Sequence, residues 1–302
     1  MKILITGGAG FIGKHLVKFL LEKGNTVTIF DNFSNSLKKS ISELVDSGAE
    51  LIEGDITNTM KINDSIKNHD LVIHLAAKIS VSESIKNPSE TFHVNIDGTK
   101  NVLEACLKNN IKKLIVASSA AVYGESESSV TKLTEDTEKN PVSPYGESKL
   151  RMEQEIREFK SKHSIDCIIL RFFNIYGIGQ TSEYAGVITK FIERITQEKS
   201  LEIFGDGLQT RDFIAIDDVI SSIHNAISNG NSGTYNIASG KAITIKDLAE
   251  RMISLSRKKL QIKYTRAKKG EIKYSRADIS LAEKEIGFYP EIELDGIKKL
   301  LV

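Results

Sequence analysis

The chain reads as an α/β protein, a doubly wound parallel sheet followed by a smaller C-terminal α/β domain, and a few features of the sequence carry that reading. Apolar, β-rich runs recur ahead of amphipathic stretches: "KILIT", "TVTIF", "AELIEG", "DLVIHLAA", "KLIVAS" and "DCIILRFF". Strands that alternate with helices imply crossover connections and hence parallel pairing. The runs "LVIHLAA" and "KLIVAS" are almost continuously apolar, as strands covered on both faces are. Beyond about Asn174 the elements become shorter and mixed, with "LEIF", "TYNIA" and "LQIKYT". This suggests a first domain at 1–173 and a second mainly at 174–302. No linker marks the boundary, and a helix expected over Asp212 to Asn229 could pack back on the first domain, so that about 212–240 returns to it.

Taken in order, the first strand leads into "TGGAGFIG", which sets Gly7, Gly10 and Gly13 between a strand and a helix. Glycine permits a tight turn, close approach of a pyrophosphate and a helix packed near the sheet, while the helix N-terminus presents free N–H groups to an anion. The helix "KHLVKFLLEKG" that follows and an acid at the end of the second strand complete a Rossmann-type dinucleotide motif. That acid is Asp31, in "TIFDNFS". Its carboxylate can accept hydrogen bonds from a ribose diol and would repel a 2′-phosphate, which favours NAD over NADP. Asp55, in "EGDI" after the third strand, could reach the adenine amino group or simply cap a helix. The fifth run ends in "VASSAAVYG", two serines followed by two alanines. "SPYGESK" then puts Tyr145 and Lys149 on one helix face, with Ser143 as N-cap and Pro144 at the first helical position. A lysine ammonium beside a phenol favours the phenolate, and so a general base.

Composition excludes several classes. Forty-one basic and 40 acidic residues leave a formal charge of +1, so no long-range field favours nucleic acid or an anionic membrane. Cys106, in a helix expected from Asp97 to Lys108, and Cys167, in a strand expected from Cys167 to Phe172, read as buried reduced thiols. The opening "MKILITGG" has no signal-like apolar region, and no run approaches the roughly 18 residues of a membrane span. The expectation is a soluble, cytoplasmic protein. Its six histidines are scattered without ligand spacing, and no metal site is expected.

Along nearly its whole length the chain resembles the extended short-chain dehydrogenase/reductase family, and within it the NAD-dependent nucleotide-sugar epimerases of the UDP-glucose 4-epimerase type. The resemblance is carried by "TGGAGFIG", "DNFS", "GDI", "HLAA", "VNIDGTKNVLEA", "SSAAVYG", "PYGESK", "LRFFNIYG" and "FGDGLQTRDFI", which span residues 6 to 217, and by "KKGEIKYSRADISLAEKEIGFYP" beyond them. It implies a catalytic triad of Ser119, Tyr145 and Lys149. It implies that a tightly held NAD is seated by Gly7, Gly10, Phe11, Ile12 and Gly13, by Asp31 and Asn32, and by Asp55 and Ile56. Leu75, Ala76 and Ala77, with Asn95, Lys149 and Phe172, complete that set. Asn174, Phe204 and Arg211 fall where such enzymes hold the diphosphate and uracil of a UDP-sugar. Arg211 offers a planar fork for phosphate, Phe204 a face for a pyrimidine, and Asn174 a position at the carboxyl edge of the sheet.

One segment departs from the pattern. Where relatives commonly carry an Arg-Pro-Gly-Asp-like sequence, this chain has "KKGE", with Lys268 and Glu271 at its ends. Lysine keeps the charge without the planar fork, and Arg266 is an alternative phosphate contact. Four residues past Glu271 lies Ser275, aligned with a position where members that accept N-acetylated sugars tend to have a small side chain; Tyr274 is its neighbour.

The alanines after Ser119 narrow the reaction. The family's 4,6-dehydratases carry acids just after the catalytic hydroxyl, because elimination of water needs its own proton donor and base. The related decarboxylases usually carry a glutamate there. Ala120 and Ala121 supply neither, which leaves oxidation at C4 followed by reduction on the other face. The expected activity is interconversion of UDP-glucose and UDP-galactose, extended to UDP-N-acetylglucosamine. A UDP-glucuronate 4-epimerase, another NAD-dependent nucleotide-sugar enzyme and an idle NAD-binding regulator are the alternatives, although a regulator has no need of the complete triad. The resemblance also implies a homodimer through the helices near Asp97 to Lys108 and Tyr145 to Lys162.

Overall fold

The computed structural model describes residues 1–126, 128–180, 186–267 and 272–301. Its first half alternates as expected: β1 (Lys2–Thr6), α1 (Phe11–Glu22), β2 (Thr26–Asp31), α2 (Ser42–Asp46), β3 (Glu50–Glu53), α3 (Thr59–Ile66) and β4 (Leu71–His74). Two short helices, α4 (Val81–Lys86) and α5 (Pro88–Phe92), precede α6 (Gly98–Lys108), β5 (Lys113–Ser119), α7 (Pro144–Lys162) and β6 (Asp166–Phe172). The remainder comprises β7 (Asn174–Tyr176), α8 (Val187–Thr196), β8 (Leu201–Phe204), β9 (Thr210–Ala215), α9 (Ile216–Asn229), β10 (Gly233–Ile237), β11 (Ala242–Thr244), α10 (Ile245–Ser256), β12 (Ile262–Thr265) and α11 (Ser280–Ile286).

Seven strands form one parallel sheet in the order β10-β6-β5-β4-β1-β2-β3. The order reverses between β1 and β4, and the crevice at the carboxyl ends of such strands is where open α/β sheets bind ligands. Each face of the sheet is covered. On one side Leu16, Val17 and Leu20 of α1 pack with Val219, Ile220 and Ile223 of α9 against the sheet. On the other, Val102, Leu103 and Cys106 of α6 join Met152 and Ile156 of α7. Each such side chain taken fully from water contributes about 1.5–3 kcal/mol.

Two expectations change here. The stretch from Asp212 to Asn229 is not one helix: Thr210–Ala215 is a strand, paired with β7 and β11, and the helix begins at Ile216. The run "TYNIA" supplies β10 and pairs with β6 in the main sheet, while "LEIF" and "LQIKYT" supply the paired β8 and β12. Of the two helices expected at a dimer interface, Val102, Leu103, Cys106, Met152 and Ile156 are buried within the chain, Leu150 and Phe159 are half-buried and Leu107 is exposed. Cys106 and Cys167 are free and buried, and burial pushes both thiols up, Cys167 to about 11. Among the described residues no helix is long and apolar enough to cross a membrane.

Candidate active site

The glycine turn is built as its spacing requires. Gly7 adopts φ +70°, and a Cβ there would lie 2.7 Å from the Ala76 backbone nitrogen; one on Gly13 would lie 2.6 Å from the Gly8 carbonyl oxygen. Only residues without side chains let β1, the turn and α1 approach this closely. Gly10 is the N-cap of α1, with no side-chain hydrogen bond and no acid in the first turn, so the helix end is suited to an anion. Asp31 stands beside it at the end of β2. Its Oδ2 accepts from Ala9 N at 3.0 Å and its Oδ1 from Phe33 N at 2.8 Å, so the acid holds the glycine turn as well as facing the crevice. Burial raises its pKa against those hydrogen bonds. Asn32 donates to Asp55 Oδ2 at 2.6 Å. Asp55 does not cap α3; Asn58 does, accepting from Lys61 N. Burial of Asp55 is outweighed by hydrogen bonds from Thr57 and Asn32, and its pKa is lowered. Phe11 and Ile12 open α1, and Ile56 follows Asp55 with its side chain buried.

The segment Leu75–Ala76–Ala77 after β4 is fixed by a chain of hydrogen bonds that the sequence did not announce. Ala76 N donates to Thr6 Oγ1 at 3.3 Å, Thr6 Oγ1 lies 2.6 Å from His74 Nδ1, and His74 Nε2 lies 3.0 Å from Thr99 Oγ1. Thr99 donates onward to Asn95 O at 2.7 Å. Every group is satisfied if His74 is neutral with its proton on Nε2, and burial, with the Lys149 charge, lowers its pKa to about 3. Asn95 itself sits in a π-helical turn, His93–Asp97. Its amide bonds the backbone of Lys78 on both sides and donates to Ser148 Oγ at 2.9 Å, joining this loop to α7.

At the end of β5 the two serines diverge. Ser119 caps a short turn over Ala120–Val122 and pairs in register with Phe172 on β6. Its hydroxyl accepts from Ala121 N at 3.2 Å and acts to lower the pKa of the Tyr145 phenol. Ser118 instead donates to the buried Glu153 at 2.6 Å. Tyr145 opens α7, where Ser143 accepts from Gly146 N at 3.1 Å and Pro144 occupies the first turn, as expected. The buried Ser84 of α4 accepts from Tyr145 N at 3.1 Å. Lys149 is buried, its ammonium donating to Ala117 O at 2.9 Å. Burial lowers its pKa to about 8, with Glu153 opposing. The tyrosine departs from expectation. Burial raises its pKa, with the Ser119 hydroxyl opposing, where the sequence had suggested a lowering.

A cavity of about 560 Å³ is lined by Asn174, Phe204 and Arg211 together. Lys190 and Arg194 of α8 line it too, cations that no motif had flagged. Asn174 Nδ2 donates to Asp212 O at 3.0 Å, and Arg211 Nη1 to Thr210 O at 2.8 Å. Asp212, next to Arg211 in the chain, turns inward. It is fully buried, its carboxylate accepting from Ser239 N and Oγ and from Ala277 N. Ser275 is buried in the segment that Lys273 O ties to Thr210 N and Tyr274 O to Ser126 N. Lys268 and Glu271 lie outside the described residues.

A parallel sheet with a glycine turn at its switch point and Ser119, Tyr145 and Lys149 at the carboxyl end of the next strands defines a dinucleotide-dependent enzyme acting on a hydroxyl. Comparison with known proteins agrees. The model of the NAD dependent epimerase/dehydratase family matches residues 3–238. A putative UDP-glucose 4-epimerase of Methanocaldococcus jannaschii is 38% identical over 305 residues, 99% of this chain and 97% of that protein. The UDP-glucose 4-epimerase of Thermotoga maritima, solved with UDP-glucose, superposes with a TM-score of 0.94 at 31% identity over 100% of this chain and 97% of that one. A UDP-N-acetylglucosamine 4-epimerase of Methanobrevibacter ruminantium, in complex with UDP-N-acetylmuramic acid, gives 0.92 at 35% identity, covering 99% and 96%. The chain belongs to the NAD dependent epimerase/dehydratase family. It is an NAD-dependent epimerase of the nucleotide-sugar 4-epimerase group.

Proposed function

We propose that the protein is a UDP-hexose 4-epimerase that interconverts UDP-glucose and UDP-galactose and also accepts UDP-N-acetylglucosamine. The observation that carries this is the meeting of Ser119 with Tyr145, beside Lys149, at a strand end followed by two alanines. A base is present, and Ala120 and Ala121 offer no acid for elimination or decarboxylation.

The tight glycine turn, the uncapped start of α1 with no acid in its first turn, and the Asp31 carboxylate beside it fit a dinucleotide: free N–H groups for the pyrophosphate and an acceptor for the ribose. Gly7, Gly10, Gly13 and Asp31 would hold it, with Lys149 at its nicotinamide end. When bound, NAD supplies a hydride acceptor at sugar C4 and then returns the hydride, so it is retained through the cycle. Ser119 hydrogen-bonds the O4 hydroxyl, and Tyr145 takes its proton as the C4–H bond breaks. Burial raises the Tyr145 pKa, and positive charge nearby, from Lys149 and, when bound, the oxidised nicotinamide, would favour the phenolate that takes the proton. The 4-keto sugar turns about its anchored diphosphate, held by Arg211 with Asn174, and Tyr145 returns the proton to O4. Binding energy from UDP, remote from the reacting carbon, lets the sugar be held loosely enough to turn. Phe204 would offer a face to the uracil.

The test is purified protein given UDP-glucose or UDP-N-acetylglucosamine with no added NAD, the products being followed by NMR. The galacto epimers should form, and Tyr145→Phe should lower kcat by roughly 10²–10⁴-fold. No conversion, with NAD added or without, would overturn the reading. Ser275→Tyr should abolish turnover of the acetylated sugar and spare UDP-glucose; unchanged activity on the acetylated sugar would remove Ser275 from the account. The proposal includes a cytoplasmic homodimer through the outer faces of α6 and α7, to be checked by light scattering.

A further inference from the structure

Beneath the reacting groups lies a buried ion pair that the mechanism above does not use. Glu153, one helical turn past Lys149 on α7, is fully buried, and so is Arg171 on β6. The carboxylate is saturated. Its Oε1 accepts from Ser118 Oγ at 2.6 Å and Arg171 Nε at 2.9 Å, and its Oε2 from Arg171 Nη2 at 2.6 Å and Arg157 Nη2 at 2.9 Å. Arg171 Nη1 reaches on to Tyr123 OH at 2.7 Å, in the turn just after Ser119. Three elements therefore meet at one carboxylate: the strand that ends in Ser119, the helix that carries Tyr145 and Lys149, and β6.

Such a pair is a poor source of stability, because the cost of desolvating two charges largely cancels their attraction. Apolar side chains would join the same elements at least as well. What an apolar contact cannot supply is direction: a bidentate pair plus a serine hydroxyl fixes angle and register. Ser118 is the residue before Ser119 in the same strand, so fixing one peptide fixes the other.

We propose that Glu153 is a positioning residue for the epimerase reaction, locking the Ser118–Ser119 strand end against α7 so that Ser119 is held in place relative to Tyr145 and Lys149 on that helix. This rests on the function proposed above. A second consequence is electrostatic. Glu153 is the neighbour that opposes the burial penalty on Lys149, and it favours the cation that Tyr145 needs. The charged and titratable groups around that ammonium include Tyr145, Glu153 and Arg157 on its own helix, Arg171 on β6 and the neutral His74 on β4.

The experiment compares the holoenzyme with Ser118→Ala, Ser118→Thr and Glu153→Gln, measuring kcat, KM for the UDP-sugar and the pH profile, with retained NAD and thermal melting as controls. Ser118→Ala should lower kcat by roughly tenfold or more, the worth of one hydrogen bond to a charged group, with KM and NAD content unchanged. Ser118→Thr should restore it. Glu153→Gln should lower kcat and move the alkaline limb of the profile to lower pH, since Lys149 loses the neighbour that holds its proton. If Glu153→Gln does not fold, the double variant Glu153→Met with Arg171→Met keeps an apolar junction and should fold with depressed kcat. Folded Ser118→Ala and double variants with native kcat and native pH profile would overturn the proposal. Tyr145→Phe and the native enzyme run alongside: an inactive native enzyme would contradict the proposed function, whereas an active one with unaffected variants contradicts only the role of Glu153.

Discussion

Ser118 and Ser119 have the same side chain and opposite surroundings, because successive residues of a strand face opposite ways. Ser118 shares the face of Val116, covered by α7, and Ser119 ends the strand at the crevice. The i, i+4 spacing put Tyr145 and Lys149 on one helix face, a local feature, and the family resemblance joined Ser119 to them as a triad. The sequence could not reveal that burial raises the Tyr145 pKa, which depends on tertiary packing. Asp212 is another residue whose state comes from packing. Burial, against hydrogen bonds from Ser239 and Ala277, pushes its pKa up from 3.8 to about 6. The folded chain thus holds this proton more tightly than the unfolded one. The stability it contributes is full below about 3.8 and is lost as pH rises through about 6. Relative to Asp212→Asn, whose amide does not titrate, the native melting temperature should fall as pH rises from about 4 to about 7; parallel curves would contradict this.

At the level of elements, α7 owes its place to residues with little side chain. A Cβ on Gly146 would lie 2.5 Å from Ala121 O, in the turn that follows Ser119. Gly146→Ala should therefore push the start of α7 away from that turn and lower kcat more than it lowers the melting temperature, a comparison that steady-state kinetics and a thermal scan decide. The boundary at Ile216 shows where local pattern misleads. "RDFIAIDDV" suits a helix by its acids in what became the first turn of α9, yet Arg211 to Ala215 find strand partners on both sides, in β7 and β11. Pairing across the sheet outweighs a weak local preference. Likewise the π-helical turn at Asn95 leaves no mark in composition. It exists because the Asn95 amide satisfies Lys78 and Ser148 at once.

At the scale of the whole molecule, the chain leaves the large sheet after β6 and returns to it with α9 and β10. The alternation of strands and helices foretold parallel pairing of the first strands but not that β10 adds to β6, since "TYNIA" is equally apolar in either setting. The cavity lined by Asn174, Phe204 and Arg211 is bounded by segments from Asn174 to Ile245, so it arises from tertiary packing and no single motif declares it. The two halves together make one prediction: a hydride leaves C4 of the sugar and comes back to the same carbon. The most direct test is UDP-glucose labelled with deuterium at C4, incubated with the purified protein without added NAD. The account predicts UDP-galactose that keeps its deuterium at C4. Loss of the label to water, loss of the C6 hydroxyl, or turnover that consumes added NAD would contradict it.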